Sequence, residues 1–267
     1  MLTLGIHEGH TATACILEDG EVLACISEER LNRKKEWEGF PEASIRKCLE
    51  IAGKGPKEFD AIGFCSLMPQ IGFSTYHRPL WTKRLFSSLA KVLPRKILQR
   101  QSNIKVVQAF GYWSSKKRRE ELVSKARGMG FACPYDFYEH HLLYASTGYF
   151  TNWYRREKTL VITLDGSGDG VCGSINIGHA GKIERIIGLF NYNSICEFYT
   201  KITQHLGMKP MSHEFKVMGM SPYADDKYRQ ELLEVFRGYY QIPEDRPLEI
   251  INQSGRWNWQ YFDRRFV

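Results

Sequence analysis

The strongest constraint on the fold is one order of elements that occurs twice, about 160 residues apart. In each copy a β-prone run, at residues 2–6 and again at residues 159–164, leads through a glycine-containing segment into a hairpin and an amphipathic helix. An Asp-Gly pair between two apolar runs, as at Asp19 and Gly20, is a typical hairpin signal. The repeat therefore predicts an α/β chain built from two related units.

Three segments carry more specific expectations. Pro41 and Gly53 are predicted to bound a helix whose apolar residues keep a three-and-four spacing. Residues 159–164 form an almost unbroken β-branched run, which is typical of a buried central strand. Residues 116–127 are predicted to form a basic helix with a solvated face.

Basic residues are concentrated in the middle of the chain. The formal net charge is +7, and residues 78–127 contain 14 Lys and Arg against two Glu. We divide the chain into a first unit at residues 1–66, a basic insert at 67–133 and a second, incomplete unit at 134–267. The insert could dock an acidic partner. Its tryptophans, Trp81 and Trp113, show no pattern for stacking on bases, so nucleic acid is not expected as a partner.

The composition indicates a cytoplasmic protein. The sequence has no apolar run of 18 residues and opens without a basic start and apolar stretch, so we expect neither a membrane span nor a secretory signal. Its 7 cysteines lack metal-ligand spacing and indicate reduced thiols. Four of them lie in strand-like runs and are expected in the core, namely Cys15, Cys25, Cys65 and Cys172.

A glycine-rich turn at residues 165–170 follows the second β-prone run. Glycines at 168, 170 and 173 formally satisfy a dinucleotide-binding pattern, but residues 171–175 are predicted to form a strand where that pattern needs a helix. Gly166 and Gly168 could let the backbone approach an anion, and Asp165 and Asp169 suit a metal or a polarised hydroxyl. The alternative is a tight turn that needs positive φ angles.

Histidines and one lysine are further candidates for a site. His7 and His10 follow the first strand, His140 opens a helix after a later strand, and Lys216 lies beside a Val-Met-Gly segment. Each has a plain structural alternative, such as a loop histidine or a solvated lysine. A metal-binding pair on one helix face would need a ligand four residues after His140, where the chain has Tyr144.

Five blocks in order resemble the NodU/CmcH-type carbamoyltransferases. They are the segment from LGIHEGHTA to IRKCLE at residues 4–50, EHHLLYAS at 139–146, TLDGSGDGVCGS at 163–174, FYTKITQHLGMKP at 198–210 and EFKVMGMSPYA at 214–224. The resemblance implies an actin-like ATPase (ASKHA, ribonuclease H-like) fold, of which the chain would hold the first subdomain and part of the second. It also implies transfer of a carbamoyl group from carbamoyl phosphate, through a carbamoyl-adenylate made with ATP, to a hydroxyl of a small-molecule acceptor.

The same resemblance implies roles for individual residues. His140 and Asp165 match ligands of an iron or other divalent metal. His10 matches the histidine of the opening block and is the candidate general base. Lys35 and Lys216 match lysines that contact substrate or phosphate, where a cation offsets charge on a leaving group.

The chain also departs from the family pattern. Tyr144 stands in place of the second metal histidine, which predicts an altered or lost metal site, and Thr11 replaces the usual Asp. The chain ends at Val267, at about half the usual length, so we expect a C-terminal partner chain or a homo-oligomer to complete it. An exposed apolar surface is expected around Trp257, Trp259, Phe262 and Phe266. The alternative function is a non-catalytic, actin-like binding or regulatory subunit.

Overall fold

The computed structural model describes residues 1–68, 102–153, 157–245 and 247–253. These residues fall into two compact units. Unit 1 contains residues 1–68 and 107–143, and unit 2 contains the remaining described residues. The apolar surface expected around residues 257–266 and the basic residues up to position 100 lie outside the described residues.

Unit 1 is built on a mixed five-stranded sheet. Its strands are β1 (Leu2–His7), β2 (Thr13–Glu18), β3 (Glu21–Ser27), β4 (Ala61–Cys65) and β5 (Tyr135–Tyr138), in the order β3-β2-β1-β4-β5. The first three pair antiparallel, as the hairpin signal predicts, whereas β4 pairs parallel to both β1 and β5. The carboxyl ends of β1, β4 and β5 therefore meet at one edge.

Five helices belong wholly or partly to unit 1: α1 (Glu29–Asn32), α2 (Glu42–Ala52), α3 (Ser102–Ser114), α4 (Lys116–Gly128) and α5 (His140–Phe150). The predicted bounds of α2 are confirmed. Pro41 precedes it, and Gly53 ends it with a left-handed φ of 63°. Ile45 and Cys48 are fully buried against the sheet with Leu4, Ile16 and other apolar residues, so burial of one apolar face stabilises the helix.

The prediction of a solvated face on α4 is only partly right. Lys116 is exposed, but Arg119, Leu122 and Ala126 are buried. The Arg119 guanidinium lies 3.4 Å from the centre of the Tyr112 ring and donates from Nη1 to the Leu67 carbonyl at 3.1 Å. The charge count could not show this, because the apolar residues of α4 place its inner face against the core of unit 1.

Unit 2 contains a three-stranded antiparallel sheet followed by helices. The strands β6 (Thr159–Gly168), β7 (Val171–His179) and β8 (Lys182–Phe190) pair in this order, and α6 (Ile195–His205), α7 (Glu214–Met220), α8 (Arg229–Arg237) and the short strands β9 (Tyr240–Gln241) and β10 (Ile251–Asn252) follow. Three antiparallel strands and a helix thus recur, as the repeat predicts. The chain has a mixed α/β fold.

The expectation that β6 is a buried central strand is wrong. Among the described strands β6 pairs with β7 alone. Leu160, Ile162 and Leu164 are 59%, 59% and 54% exposed, whereas Val161 and Thr163 are buried. Branched side chains favour a strand but do not fix its neighbours. We call the exposed set the β6 stripe.

None of the helices in the described part of the chain is long and apolar enough to cross a membrane. The cysteines are free thiols. Cys172 is buried as expected, whereas Cys25 is exposed on β3. Cys25 therefore does not belong to the core.

Candidate functional site

The carboxyl ends of three strands place a thiol between two imidazoles in unit 1. Cys65 ends β4, His7 ends β1 and His140 follows β5. Burial raises the pKa of the Cys65 thiol, but hydrogen bonds to His140 and His7 outweigh it and hold that pKa below its usual value. Parallel strands commonly present ligand-binding groups at this edge, so this group is the centre of the candidate site in unit 1.

The loop between β1 and β2 carries the predicted base, His10. Its carbonyl contacts His7 Nε2 at 3.0 Å, and its Nδ1 lies 3.2 Å from Thr11 Oγ1. Thr11 has a left-handed φ of 62°. A Cβ on Gly9 would lie 3.0 Å from the His7 ring, so glycine permits the close approach of loop and ring. Burial lowers the pKa of His7, yet the bonds to Cys65 and the His10 carbonyl raise it overall.

Glu8 fixes the loop between β1 and β2 to the rest of unit 1. Its buried carboxylate pairs with Arg118 of α4. Burial raises the pKa of Glu8, and the guanidinium opposes this shift without cancelling it. The Glu8 carbonyl also accepts from the Gly39 amide at 2.8 Å, and the Ala12 amide donates to the Trp37 carbonyl at 2.9 Å. Residues 8–12 are therefore tied to residues 37–39.

Lys35 lies just before residues 37–39, which bind the loop between β1 and β2 through backbone hydrogen bonds. Its exposed ammonium pairs with Glu29 at 3.4 Å. The other Glu29 oxygen accepts from the Glu36 amide at 3.0 Å, which holds the segment to α1. The structure thus places Lys35 beside a carboxylate in unit 1, accessible to solvent.

In the glycine-rich segment of unit 2, the turn is shorter than the predicted turn at residues 165–170. Asp169 and Gly170, with φ of 51° and 80°, form the turn between β6 and β7. Gly166 and Gly168 lie in the irregular end of β6, where the pairing register shifts between Leu164 and Gly168. The tight-turn interpretation therefore fits residues 169–170, and Gly166 and Gly168 keep an extended backbone within the strand.

Asp165 is fixed by hydrogen bonds within unit 2. Its Oδ1 accepts from the Gly166 amide at 2.6 Å, and its Oδ2 accepts from the Tyr144 hydroxyl at 3.3 Å. The Ser194 hydroxyl donates to the Asp165 carbonyl at 3.2 Å and accepts from the Glu197 amide at 3.1 Å, which caps α6. The start of α6 and the end of β6 are thereby joined.

Glu197 adds a second carboxyl group near Asp165. Burial raises the pKa of Glu197, Lys201 opposes this shift, and the negative charges of Asp165 and Glu214 add to it. Lys201 is itself buried. The Gly166 position is close to this group, because a Cβ there would lie 3.8 Å from Glu197 Oε1.

Lys216 lies in the first turn of α7. It is exposed, and its Nζ lies 3.0 Å from His213 Nε2. This environment fits the solvated alternative as well as it fits a phosphate-contacting lysine.

The sequence profile of a family described as Carbamoyltransferase N-terminus matches residues 3–264. The chain belongs to this family. Nodulation protein NolNO of Sinorhizobium fredii is 28% identical over 89% of this chain and 32% of its own length. An uncharacterized protein of Synechocystis sp. is 28% identical over 84% of this chain and 35% of its own length. Nodulation protein NolO of Bradyrhizobium diazoefficiens is 33% identical over 39% of this chain and 18% of its own length.

As a member of the carbamoyltransferase N-terminus family, the chain spans about a third of the length of the first two relatives. This share is smaller than the half expected from the sequence. The match confirms the resemblance that the five blocks carry.

The metal implied by the resemblance stays a prediction. His140 belongs to unit 1 and Asp165 to unit 2. Within the described ranges, no group of three or more His, Cys, Asp or Glu side chains is placed to hold a metal ion. Tyr144, at the position where the resemblance implies a second metal histidine, donates a hydrogen bond to Asp165.

The sequence predicts that His10 and His140 follow strands, but it assigns them to different units, whereas β5, the strand before His140, lies in the same sheet as β1. The sequence predicts a core position for Cys65 and gives no signal for Glu8 or Glu197. The parallel pairing of β4 with β1 and β5 would have identified Cys65, had the strand order been known. The repeated element order also predicts that the His10 loop faces the Asp165 segment across a shared cleft, and this stays a prediction.

Proposed function

We propose that this chain is the N-terminal part of an O-carbamoyltransferase that transfers a carbamoyl group to a hydroxyl of a small-molecule acceptor. The observation that carries the proposal is the family match over residues 3–264. The donor would be carbamoyl-adenylate, made from carbamoyl phosphate and ATP by a part of the enzyme outside this chain.

An actin-like ATPase fold accompanies this proposal. The order β3-β2-β1-β4-β5, with three antiparallel and two parallel strands, supports a βββαβα subdomain in unit 1. The three antiparallel strands and helix of unit 2 support the beginning of a second such subdomain.

The histidine and the two lysines that the resemblance implies are assigned roles in the transfer step. The acceptor hydroxyl oxygen would attack the carbamoyl carbon, His10 would take the hydroxyl proton, and the bond from that carbon to the phosphate oxygen of AMP would break. AMP would leave with the bonding electron pair. Lys35, which is solvent-accessible, and Lys216 are the candidates to offset the negative charge on this leaving group.

The test combines the full chain with a polypeptide that supplies the remaining two thirds of a relative, together with ATP and labelled carbamoyl phosphate. Formation of labelled O-carbamoyl product on a panel of polyols is the measurement. His10→Ala is expected to lower the rate by about 10²- to 10⁴-fold. The matched control is His179→Ala, an exposed histidine at the end of β7. Equal loss in both variants, or product formation untouched by His10→Ala, would reject His10 as the base.

A C-terminal partner chain or a second copy is part of the proposal. The β6 stripe supports it, because an exposed apolar face on a strand with a free edge among the described strands favours association. Light scattering after gel filtration should show a complex or an oligomer, and Ile162→Lys should weaken it. A monomer with no affinity for the completing polypeptide would contradict this part.

A non-catalytic binding or regulatory subunit is the second candidate. The hydrogen bond between Tyr144 and Asp165 favours it, because that bond occupies positions that the resemblance assigns to a metal. Binding of the completing polypeptide without any carbamoyl transfer or ATP turnover would select this function.

A further inference from the structure

The hydrogen bond from Tyr144 to Asp165 stands where the resemblance implies a metal site, and we draw one further inference from it. This inference rests on the proposed function, because that proposal is what places Tyr144 and Asp165 in the functional site. Tyr144 lies one helical turn after His140 on α5, and residues four apart share a helix face. An imidazole at position 144 would complete a pair of ligands there. The chain has a phenol instead.

The contacts of Asp165 show what the phenol does. Each carboxylate oxygen accepts a hydrogen bond from a neutral donor, the Gly166 amide to Oδ1 and the Tyr144 hydroxyl to Oδ2. A tyrosine hydroxyl remains protonated near neutral pH, so it acts as a donor to a carboxylate. The side chain of Tyr144 is 45% exposed, which leaves room at this position for a different side chain.

The surrounding charges are consistent with a site that works without a divalent cation. Burial raises the pKa of Glu197, with contributions from Asp165 and Glu214, and the buried Lys201 supplies the opposing positive charge. Within unit 2, Lys201 therefore offsets part of the negative charge near Asp165, and the Tyr144 hydroxyl donates to its carboxylate.

We infer that in this protein the Tyr144 hydroxyl takes the place of a metal ion as the group that fixes the Asp165 carboxylate. Asp165 is then a hydrogen-bond acceptor for hydroxyl groups, which matches an acceptor molecule better than a phosphate. Tyr144 is a positioning residue in this arrangement. Substitution of Tyr144 by histidine should create metal affinity that the natural sequence lacks.

The experiment measures metal binding by the full chain and needs no carbamoyl transfer. Metal-stripped wild-type protein, Tyr144→His and Tyr144→Phe are titrated with Co²⁺, and bound cobalt is followed by visible absorption and by elemental analysis after dialysis. Wild type and Tyr144→Phe should show no cobalt binding that depends on Asp165. Tyr144→His should bind cobalt at least about tenfold more tightly, because it adds an imidazole beside the Asp165 carboxylate.

The double variant Tyr144→His with Asp165→Asn is the control for the site, and it should return to the wild-type level. Stoichiometric cobalt on the wild-type chain that Asp165→Asn abolishes would overturn the inference. A folded Tyr144→His variant with no gain in cobalt affinity would overturn it as well. Circular dichroism checks folding, and neither result bears on whether the family reaction takes place.

Discussion

The buried carboxylate of Glu28 accepts two hydrogen bonds from Ser44, one from the Ser44 backbone amide at 2.8 Å and one from the Ser44 hydroxyl at 2.7 Å. It also accepts from the Ala43 amide at 3.2 Å. Glu28 thus satisfies amides of the first turn of α2 from outside the helix, and a negative charge is favourable at that end.

Glu28→Ala should lower the free energy of unfolding by about 2–3 kcal/mol, because it leaves buried donors without their charged acceptor. Urea denaturation followed by circular dichroism measures the change. Glu21→Ala, at an exposed position on β3, is the control and should stay within about 0.5 kcal/mol of wild type. A loss in Glu28→Ala no larger than in the control would contradict this role.

The pH dependence of the free energy of unfolding should reveal the raised pKa of the Glu8 carboxyl group. Since burial raises its folded-state pKa above the ordinary 4.5, its contribution is fully present below that value and is lost as the pH rises through the folded pKa. The stability of wild type relative to Glu8→Gln should therefore fall as the pH rises above 4.5 and through the folded-state pKa. The fall should be about 1.4 kcal/mol for each unit by which the folded pKa exceeds 4.5. Paired urea titrations across this range measure it, and a difference that rises with pH would refute the sign.

Gly178 should resist substitution. A Cβ at this position on β7 would lie 2.3 Å from the ring of Tyr149, which is fully buried. Gly178→Ala should destabilise unit 2 by about 1–3 kcal/mol through overpacking. Gly128→Ala, where a Cβ meets nothing within 4 Å, is the comparison, and similar melting temperatures in both variants would show that the ring moves aside freely.

Ser194 caps α6 and holds the Asp165 carbonyl at the same time. Ser194→Ala should cost about 0.5–2 kcal/mol of stability, the usual range for a lost N-cap. Hydrogen exchange at the Glu197 amide should accelerate, whereas exchange in α2 should not change. Unchanged protection at Glu197 would mean that the capping bond contributes little.

The fold followed from the sequence where the signals were local. The Asp-Gly hairpin and the bounds of α2 each depend on residues within a few positions of one another, and the sequence predicts both. The position of β6 in its sheet was not, because alternation identifies the two faces of a strand and leaves its neighbours open.

The candidate site was predictable only in part, for the same reason. His10 and His140 stood out through their places after strands. Glu8 finds its partner 110 residues away, and Tyr144 meets Asp165 across 21 residues. Pairings at such separations depend on the assembled tertiary structure, which no local pattern encodes.

The position of Arg119 changes how the basic helix would meet a polyanion. Its guanidinium is held between the Tyr112 ring and the Leu67 carbonyl, whereas Lys116 and Lys117 on the same helix point to solvent. Heparin or another polyanion would therefore encounter exposed ammonium groups such as these and not the Arg119 guanidinium. Neutralising those lysines should reduce retention on a heparin column, and removing Arg119 should instead loosen the helix.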